Sequence, residues 1–313
     1  MRFVLRAVLA IVLFVLLLGG VLAAIGALYR PNTQIPAGFV GQQLDVNGLP
    51  LRVYQRGKGR DVLLIHGSPG SLEDFDPIFG VLGGRLRLTA YDRPGHGFSG
   101  DSGAYSPADN AGVAAALMDK LDLQDVIVVG HSYGGATALS LALRKPERVS
   151  GYVVLDSAAY TPARPPDPIY EVLAVPVLGL GCASVLGAFV APFKIRSGLE
   201  QAYGKKPPDD FVALRTRLWA TPKVSHALAL EHLHARDALA AQSRRYREIK
   251  APVTILAQAD GGARQEGAER LHRDLSNSRL ELLTDTGHYV QFVKTAEVAA
   301  AIQRLAQPEE DAP

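Results

Sequence analysis

The chain has 313 residues, which is enough for one large α/β domain or two small ones. Apolar residues make up 48% of the chain, charged residues 20%, and the formal net charge is +2. With so small a net charge the sequence has no basic stripe and no acidic tail, so we expect no nucleic-acid partner. The single cysteine, Cys182, excludes an intrachain disulfide and any C-x-x-C metal or redox site. We predict no metal site and no cofactor.

The N-terminal segment is strongly apolar. After Arg2 and Arg6, residues 7–28 contain no charged or strongly polar side chain. At about 1.5 Å per residue, a helix of that length crosses a hydrocarbon core of about 30 Å. A cleaved signal peptide is the alternative, with a weak cleavage site at Ala24–Gly26, but its apolar region is usually about 7–15 residues long. We therefore predict that residues 1–30 form a retained membrane anchor, secretion after cleavage being the alternative.

Charges flanking this segment favour one orientation. Arg2, Arg6 and the terminal amine precede the apolar residues, and only Arg30 follows them closely. The positive-inside rule then predicts a cytoplasmic N-terminus, with the rest of the chain on the periplasmic or extracytoplasmic side. Residues 31–38 contain two prolines and a glycine and are predicted to be a short linker.

From residue 39 onwards, short apolar runs alternate with helical segments. Asn47-Gly48 predicts a hairpin between strands at 43–46 and 49–54. Alternation of apolar strands and helices is typical of a parallel sheet that helices cover on both faces. The further predicted strands are Val62–His66, Leu86–Tyr91, Val126–Val129 and Val153–Asp156, and the helices between them are Pro107–Leu121 and Gly135–Lys145.

This alternation stops for roughly ninety residues, between Ala158 and Ile249. It then resumes with strands at 252–257 and 279–283 and helices near 263–275 and 296–305. We predict that residues 158–249 form an inserted helical cap. The core then comprises 39–157 and 250–306, and residues 307–313 are predicted to be a disordered tail.

A serine lies at the sharpest predicted turn. Gly130-His131-Ser132-Tyr133-Gly134 follows the apolar run 125–129 and precedes a helical stretch at 136–145. A strand that runs through a tight turn into a helix lifts the serine hydroxyl above the end of the sheet, and the glycines accommodate the strained backbone. The helix that follows directs its amide end to the place where negative charge develops in acyl transfer. Ser132 is the predicted nucleophile.

A serine nucleophile needs a base and a carboxylate that orients it. His288 lies in the loop 285–289 after the last predicted strand, at the carboxyl edge of the sheet. Asp260 follows the strand 253–256, and it gives the chain order serine, aspartate, histidine. Asp156 is the alternative acid, because a carboxylate after the strand 153–155 can also reach a base above the nucleophile.

An oxyanion requires backbone N–H donors. One predicted donor is the amide of Tyr133, directly after the nucleophile. The second is the amide of Ser68, in the glycine-rich turn His66–Gly70 after the strand 62–65. Glycine allows the backbone of that turn to approach the reacting carbonyl closely.

Together these motifs resemble the α/β-hydrolase superfamily over Phe39–Leu305, in its serine esterase and lipase branch. The residues that carry the resemblance are His66–Gly70, Tyr91–Ser99, Gly130–Gly135, Asp260 and Gly287–His288. The resemblance implies a mostly parallel eight-stranded sheet covered by helices, with an inserted helical cap. Asp92 and Arg93 are expected to be structural. The sequence departs from the family pattern before the acid, where Ala257 replaces a glycine and the usual later proline is absent.

A second apolar stretch, Val172–Phe193, lies within the cap. Pro176 and several glycines weaken a regular helix there. A membrane span at this place would separate Ser132 from His288 across the bilayer, so we interpret the stretch as part of the cap. Whether it only lines a pocket or also contacts the membrane stays open at this point.

The expected function is that of a membrane-anchored serine hydrolase that cleaves carboxylic esters of small lipophilic substrates, with some resemblance to monoacylglycerol-lipase-like members. The alternatives on the same triad are a C–C bond hydrolase, a haloperoxidase-like perhydrolase and an aminopeptidase. A non-catalytic ligand-binding protein with this fold is a further alternative. Serine at position 132, where an aspartate would be needed, argues against epoxide hydrolases and haloalkane dehalogenases. Acyl length and oligomeric state have no signal in the sequence.

Overall fold

A computed structural model describes residues 2–103, 105–144 and 146–307. The predicted disordered tail lies outside these residues, except for Gln307.

The described residues form one eight-stranded sheet in the order β1-β2-β4-β3-β5-β6-β7-β8. Strand β1 pairs antiparallel with β2, and β2 pairs antiparallel with β4, whereas all other neighbours are parallel. The prediction of a mostly parallel eight-stranded sheet is therefore confirmed. The strands are β1 (Gln42–Val46), β2 (Leu49–Arg56), β3 (Asp61–Ile65), β4 (Arg87–Tyr91), β5 (Val126–His131), β6 (Val149–Leu155), β7 (Val253–Gln258) and β8 (Ser278–Leu283).

Helices cover both faces of the sheet, as the alternation in the sequence predicts. The α-helices are α1 (Arg2–Leu28), α2 (Asp76–Leu82), α3 (Pro107–Lys120), α4 (Tyr133–Ala142), α5 (Ile169–Leu173), α6 (Leu178–Ala202), α7 (Asp209–Trp219), α8 (Pro222–Ser243), α9 (Ala263–Asp274), α10 (Val290–Val293) and α11 (Thr295–Ala306). Helices α3, α4 and α9 pack on one face, and α2 and α11 on the other.

The central strands are buried on both sides. In β3, Leu63 and Ile65 belong to the core with α3 and α4, and Val62 and Leu64 to the core with α2 and α11. Successive strand residues point to opposite faces, so both sets must be apolar. A continuous apolar run is the result, and this is why the sequence reveals the strand.

Helices α5 to α8 lie between β6 and β7, in the segment predicted as a cap, and we keep the name cap for residues 158–249. Side chains of α6 and α7 form a buried apolar cluster that also includes Tyr289, next to His288. The cluster comprises Leu199, Tyr203, Phe211, Val212, Leu218, Trp219, Val224 and Tyr289. The cap therefore covers the carboxyl edge of the sheet.

Two buried ion pairs fix the cap to the core. Arg215 of α7 donates to Asp74 at 2.8 Å, and both side chains are almost wholly buried. Glu231 of α8 pairs with Arg93, and neither side chain is exposed. A buried ion pair requires accurate geometry to offset its desolvation. These contacts therefore specify where α7 and α8 lie over the sheet.

The N-terminal helix α1 is exposed along most of its length, and its C-terminal end packs against α6. A Cβ atom on Gly26 would collide with the Val177 carbonyl, and one on Gly181 would collide with the Leu22 carbonyl. The most apolar window of α1 has a mean hydropathy of 3.1, and that of α6 has 1.7. By length and composition, both helices could cross a membrane.

The Glu231–Arg93 pair generates a stability prediction. We expect Glu231→Gln to lower the free energy of unfolding by about 3–5 kcal/mol at pH 7, because Arg93 would stay buried without its counter-ion. Burial raises the pKa of Glu231, but Arg93 and His96 outweigh it and lower this pKa from 4.5 to about 2. Stability from the pair is therefore present above pH 4.5 and lost as the pH falls towards 2. Thermal unfolding followed by circular dichroism in detergent measures the difference.

The matched control is Asp237→Asn, an exposed carboxylate on the same helix. Its free energy of unfolding should equal that of the wild type within error at pH 7. The difference in unfolding free energy between Glu231→Gln and the wild type should become smaller at pH 3. A Glu231→Gln variant as stable as the wild type at pH 7 would contradict the assigned role of the pair.

Candidate active site

Ser132 occupies a strained turn between β5 and α4. Its backbone has φ 53° and ψ −116°, a conformation that non-glycine residues seldom adopt. Its N–H donates to the Leu155 carbonyl at 2.9 Å, and its carbonyl accepts from Ala158 N at 3.1 Å. These two bonds attach the turn to the segment that follows β6. The serine is thereby fixed beside Asp156.

The glycines around Ser132 are needed because other backbone segments lie against them. A Cβ atom on Gly130 would overlap the Gly134 carbonyl, and one on Gly134 would overlap the Ile65 carbonyl at the end of β3. Any side chain at either position would force β5, α4 and β3 apart. The local G-x-S-x-G pattern is therefore a packing requirement of this turn.

His288 lies in the loop after β8 and is bound to Asp156. Its Nδ1–H donates to Asp156 Oδ2 at 2.5 Å, and its backbone N–H donates to the Ala202 carbonyl of α6 at 2.6 Å. Asp156 directly follows β6, has a positive φ of 44° and is 1% exposed. Oδ1 of this carboxylate accepts from Gln258 N at 3.3 Å. These hydrogen bonds hold the His288 ring, the His288 backbone and the Asp156 carboxylate in place.

The structure corrects the preferred acid of the sequence analysis. Asp260 is exposed, and its Oδ1 accepts a hydrogen bond from Gly262 N at 2.8 Å in the turn before α9. Such a bond from an aspartate to the backbone two residues later is a common turn contact. The carboxylate bound to His288 is that of Asp156, the alternative acid. The missing glycine at Ala257 is the signal in the sequence that pointed away from Asp260.

An arginine from α9 lies against this pair. Arg264 Nε is 3.5 Å from Asp156 Oδ2, and its Nη1 donates to the Asp156 carbonyl at 3.4 Å. Burial, and to a smaller extent Arg264, lowers the pKa of His288 well below 6.5. Burial raises the pKa of Asp156, while Arg264 opposes that shift. At pH 7 the ring is therefore neutral, with its hydrogen on Nδ1 and an unprotonated Nε2.

The two predicted oxyanion donors both lie beside Ser132. Ser68 and Tyr133 line the same cavity as Ser132 and His288. A Cβ atom on Gly67 would lie 3.0 Å from the Ser132 Cβ, so the loop after β3 runs directly past the serine. Tyr133 is the first residue of α4, where a helix leaves its N–H groups without a helical partner.

Arg93 connects this loop to the cap. Its Nε donates to the His66 carbonyl at 3.0 Å and its Nη2 to the Gly67 carbonyl at 2.7 Å. The guanidinium carbon lies 5.0 Å from the centre of the Tyr133 ring. The same group pairs with Glu231 of α8. Arg93 was expected to be structural, and Glu231 was not singled out, because nothing near it in an Ala- and Leu-rich helix marks it as buried.

A cavity of about 1060 Å³ lies between the sheet edge and the cap. Its volume is at the upper end of ordinary small-molecule sites, which are about 300–1,000 Å³. Ser132 and His288 lie on its wall. The apolar side chains that the cap contributes include Ile195, Leu199, Trp219, Leu228 and Leu239.

A family model and several relatives match the sequence. A family model described as "Alpha/beta hydrolase family" matches residues 62–301. A 2-hydroxy-6-oxo-2,4-heptadienoate hydrolase of Pseudomonas putida is 25% identical over 282 residues, covering 81% of this chain and 91% of the relative. A pimeloyl-[acyl-carrier protein] methyl ester esterase of Neisseria meningitidis is 30% identical over 254 residues, covering 78% and 92%.

Structure comparison gives the same fold. The esterase EaEST of Exiguobacterium antarcticum superposes with a TM-score of 0.69 and 20% sequence identity, covering 86% of this chain and 100% of that structure. At this identity the likeness concerns the fold alone.

The position of Arg264 generates a prediction about His288. We expect Arg264→Gln to raise the pKa of His288, because it removes the positive charge that, after burial, lowers this pKa. NMR titration of ¹³C-labelled histidine, assigned with His288→Gln, measures the shift. Arg273→Gln, an exposed arginine on the same helix, is the control and should leave the titration unchanged. An unchanged or lowered pKa in Arg264→Gln would show that Arg264 does not act on the ring.

Proposed function

Because this chain belongs to the alpha/beta hydrolase family, we propose that it is a membrane-anchored serine hydrolase that cleaves carboxylic esters of lipophilic substrates. One observation carries the proposal. The strained Ser132 turn and the hydrogen-bonded His288–Asp156 pair face a single cavity under the cap. Nucleophile, base and orienting carboxylate at one site are the requirements of acyl transfer through a serine.

In the proposed reaction, Ser132 Oγ attacks the ester carbonyl while His288 Nε2 accepts the hydroxyl proton. The amides of Ser68 and Tyr133 donate to the oxyanion, each contributing about 3 kcal/mol of transition-state stabilisation. His288 then returns the proton to the alcohol as the C–O bond breaks and the acyl-enzyme forms. Water, activated by His288, attacks the acyl-enzyme and releases the acid.

Asp156 has two roles in this scheme. It holds the hydrogen of the neutral ring on Nδ1, which leaves Nε2 as the base, and it stabilises the imidazolium that forms in each half-reaction. Its carboxylate is buried, so its attraction to the imidazolium is weakly screened by solvent. Burial and Arg264 keep the free ring neutral at pH 7, so the base is available before substrate binds.

The substrate class follows from the cavity and from a relative. The cap contributes several large apolar side chains to the cavity, which is large enough for an acyl chain. The Neisseria relative is an esterase for a methyl ester, and this supports ester cleavage here. The exposed helix α1 supports a retained anchor, and Arg2 and Arg6 at its N-terminal end favour a catalytic domain on the extracytoplasmic side.

A second candidate function is hydrolysis of a C–C bond next to a ketone. The Pseudomonas relative, a 2-hydroxy-6-oxo-2,4-heptadienoate hydrolase, matches 81% of the chain and favours this candidate. The same triad could serve both reactions, so substrate turnover decides between them.

The central test uses p-nitrophenyl esters from C2 to C16 and a fluorophosphonate probe. We expect the wild-type chain to hydrolyse the esters and to be labelled, and Ser132→Ala to lose labelling and at least about 10⁴-fold in kcat. Ser197→Ala, an exposed serine on α6, is the control and should retain both. Labelling without ester turnover, but with cleavage of the heptadienoate, would favour the second candidate. A wild-type chain that is never labelled would refute both.

A paired substitution tests the acid. We expect Asp156→Asn to reduce kcat by about 10⁴-fold, because the amide holds the wrong ring tautomer and cannot stabilise the imidazolium. Asp260→Asn makes the same chemical change at an exposed turn, and we expect its kcat to stay within about twofold of the wild type. Steady-state kinetics on one ester compares the two variants. A large loss of kcat in Asp260→Asn with little loss in Asp156→Asn would instead identify Asp260 as the acid.

A further inference from the structure

Helix α6 has an exposed apolar face. Phe189 is 73% exposed and Phe193 is 77% exposed, one turn apart on the helix. Exposed side chains of the same helix that extend this face are Val185, Leu186 and Val190. Contiguous apolar surface of this kind indicates an interaction site, since isolated exposed apolar residues are normal but clusters are not.

This face continues the surface of α1. The close contacts of Gly26 with Val177 and of Gly181 with Leu22 bring the C-terminal end of α1 onto the first turns of α6. Small residues at a helix crossing allow such backbone contact and are typical of helix pairs in membranes. If α1 spans the bilayer, its contact with α6 lies at the membrane surface. The apolar face of α6 then begins at that surface.

The other end of α6 is held on the folded domain. Leu199 and Tyr203 belong to the buried cap cluster, and the Ala202 carbonyl accepts a hydrogen bond from His288 N. Because its C-terminal end is held beside His288 on the folded domain, α6 has no free end there that could cross the bilayer. It has one exposed apolar face, as interfacial helices do.

Helix α6 also lines the cavity. Lys194, Ile195, Gly198 and Leu199 lie on its wall, directly after the exposed Phe193. The exposed Lys194 ammonium is suited to the headgroup level of a bilayer with anionic lipids. One helix therefore joins the apolar surface to the cavity that contains Ser132.

We propose that the apolar face of α6 docks into the interfacial region of the bilayer that holds α1, so that a lipid-soluble ester passes from the membrane into the cavity along this helix. The proposal rests on the proposed function for its substrate and for the anchor α1, whereas the docking itself needs no catalysis. The occupant of the face is the lipid bilayer, because the face is continuous with α1.

Fluorescence quenching tests the docking without any use of catalysis. Cys182→Ala removes the only native thiol. On that background, Phe189→Cys and Phe193→Cys, each made alone in the full-length chain, accept an environment-sensitive dye. In nanodiscs that contain spin-labelled lipids, we expect strong quenching at both positions. Val81→Cys is the control, since Val81 is a 52% exposed apolar residue on α2, which packs on the sheet. Quenching at 189 and 193 no stronger than at 81 would overturn the proposal.

A kinetic arm tests the delivery of substrate. In Phe189→Ser/Phe193→Ser, the rate on a long-chain ester dissolved in the nanodisc, divided by the rate on a soluble short-chain ester, should fall about tenfold or more. Val81→Ser should leave this ratio unchanged. An unchanged ratio in the double variant would overturn delivery along α6. If the wild type hydrolyses neither ester, the proposed function fails, and the quenching result still decides the docking.

Discussion

The site depends on the buried guanidinium of Arg93 and the hydrogen bonds that it donates. Its donors reach the carbonyls of His66 and Gly67, the side chain of Asn110 and the carboxylate of Glu231. A charge in this position is tolerated only when its hydrogen bonds are satisfied and its counter-ion is present. One side chain thus joins the loop after β3 to the cap.

The choice of acid follows from the register of two adjacent strands. His131 pairs with Leu155 at the ends of β5 and β6, so Ser132 and Asp156 leave the sheet at the same level. Parallel neighbours lie about 4.8 Å apart, and both residues have a positive φ. An imidazole above that edge can therefore contact both residues. A carboxylate after β7 is one strand further away, and in this chain Asp260 folds back onto its own turn.

Much of this arrangement could be predicted from the sequence, because strands buried on both faces need continuous apolar runs. The strand predicted at 252–257 is observed at Val253–Gln258, and that at 279–283 at Ser278–Leu283. Ser132 and His288 were recognisable because each lies in a turn motif directly after a strand. The acid could not be decided in this way. Asp156 and Asp260 both follow strands at the carboxyl edge of the sheet, so either could supply the carboxylate. Only the direction of the side chain, which the sequence does not give, distinguishes them.

Contacts between residues far apart in sequence were beyond prediction for a similar reason. Helix α8 carries two carboxylates, Glu231 and Asp237, and only Glu231 is buried, because it pairs with Arg93, which is over a hundred residues earlier. Local periodicity reports which face of a helix is apolar, not which polar side chain meets a distant partner. The same limit applies to α6, whose apolar residues fit a core helix, a span or an interfacial helix equally well in sequence.

Different helices of the cap are held by different contacts, and this difference is what the proposed docking of α6 requires. Helices α7 and α8 hold the core through buried charges, Arg215 to Asp74 and Glu231 to Arg93. Helix α6 contacts α1 through glycine backbones and the core through apolar side chains of its last turns. An ion pair next to lipid would have to be desolvated, whereas apolar contacts lose nothing when lipid replaces water. The charged attachments therefore lie where the protein buries them, and the apolar face of α6 lies beside α1, as the proposed docking requires.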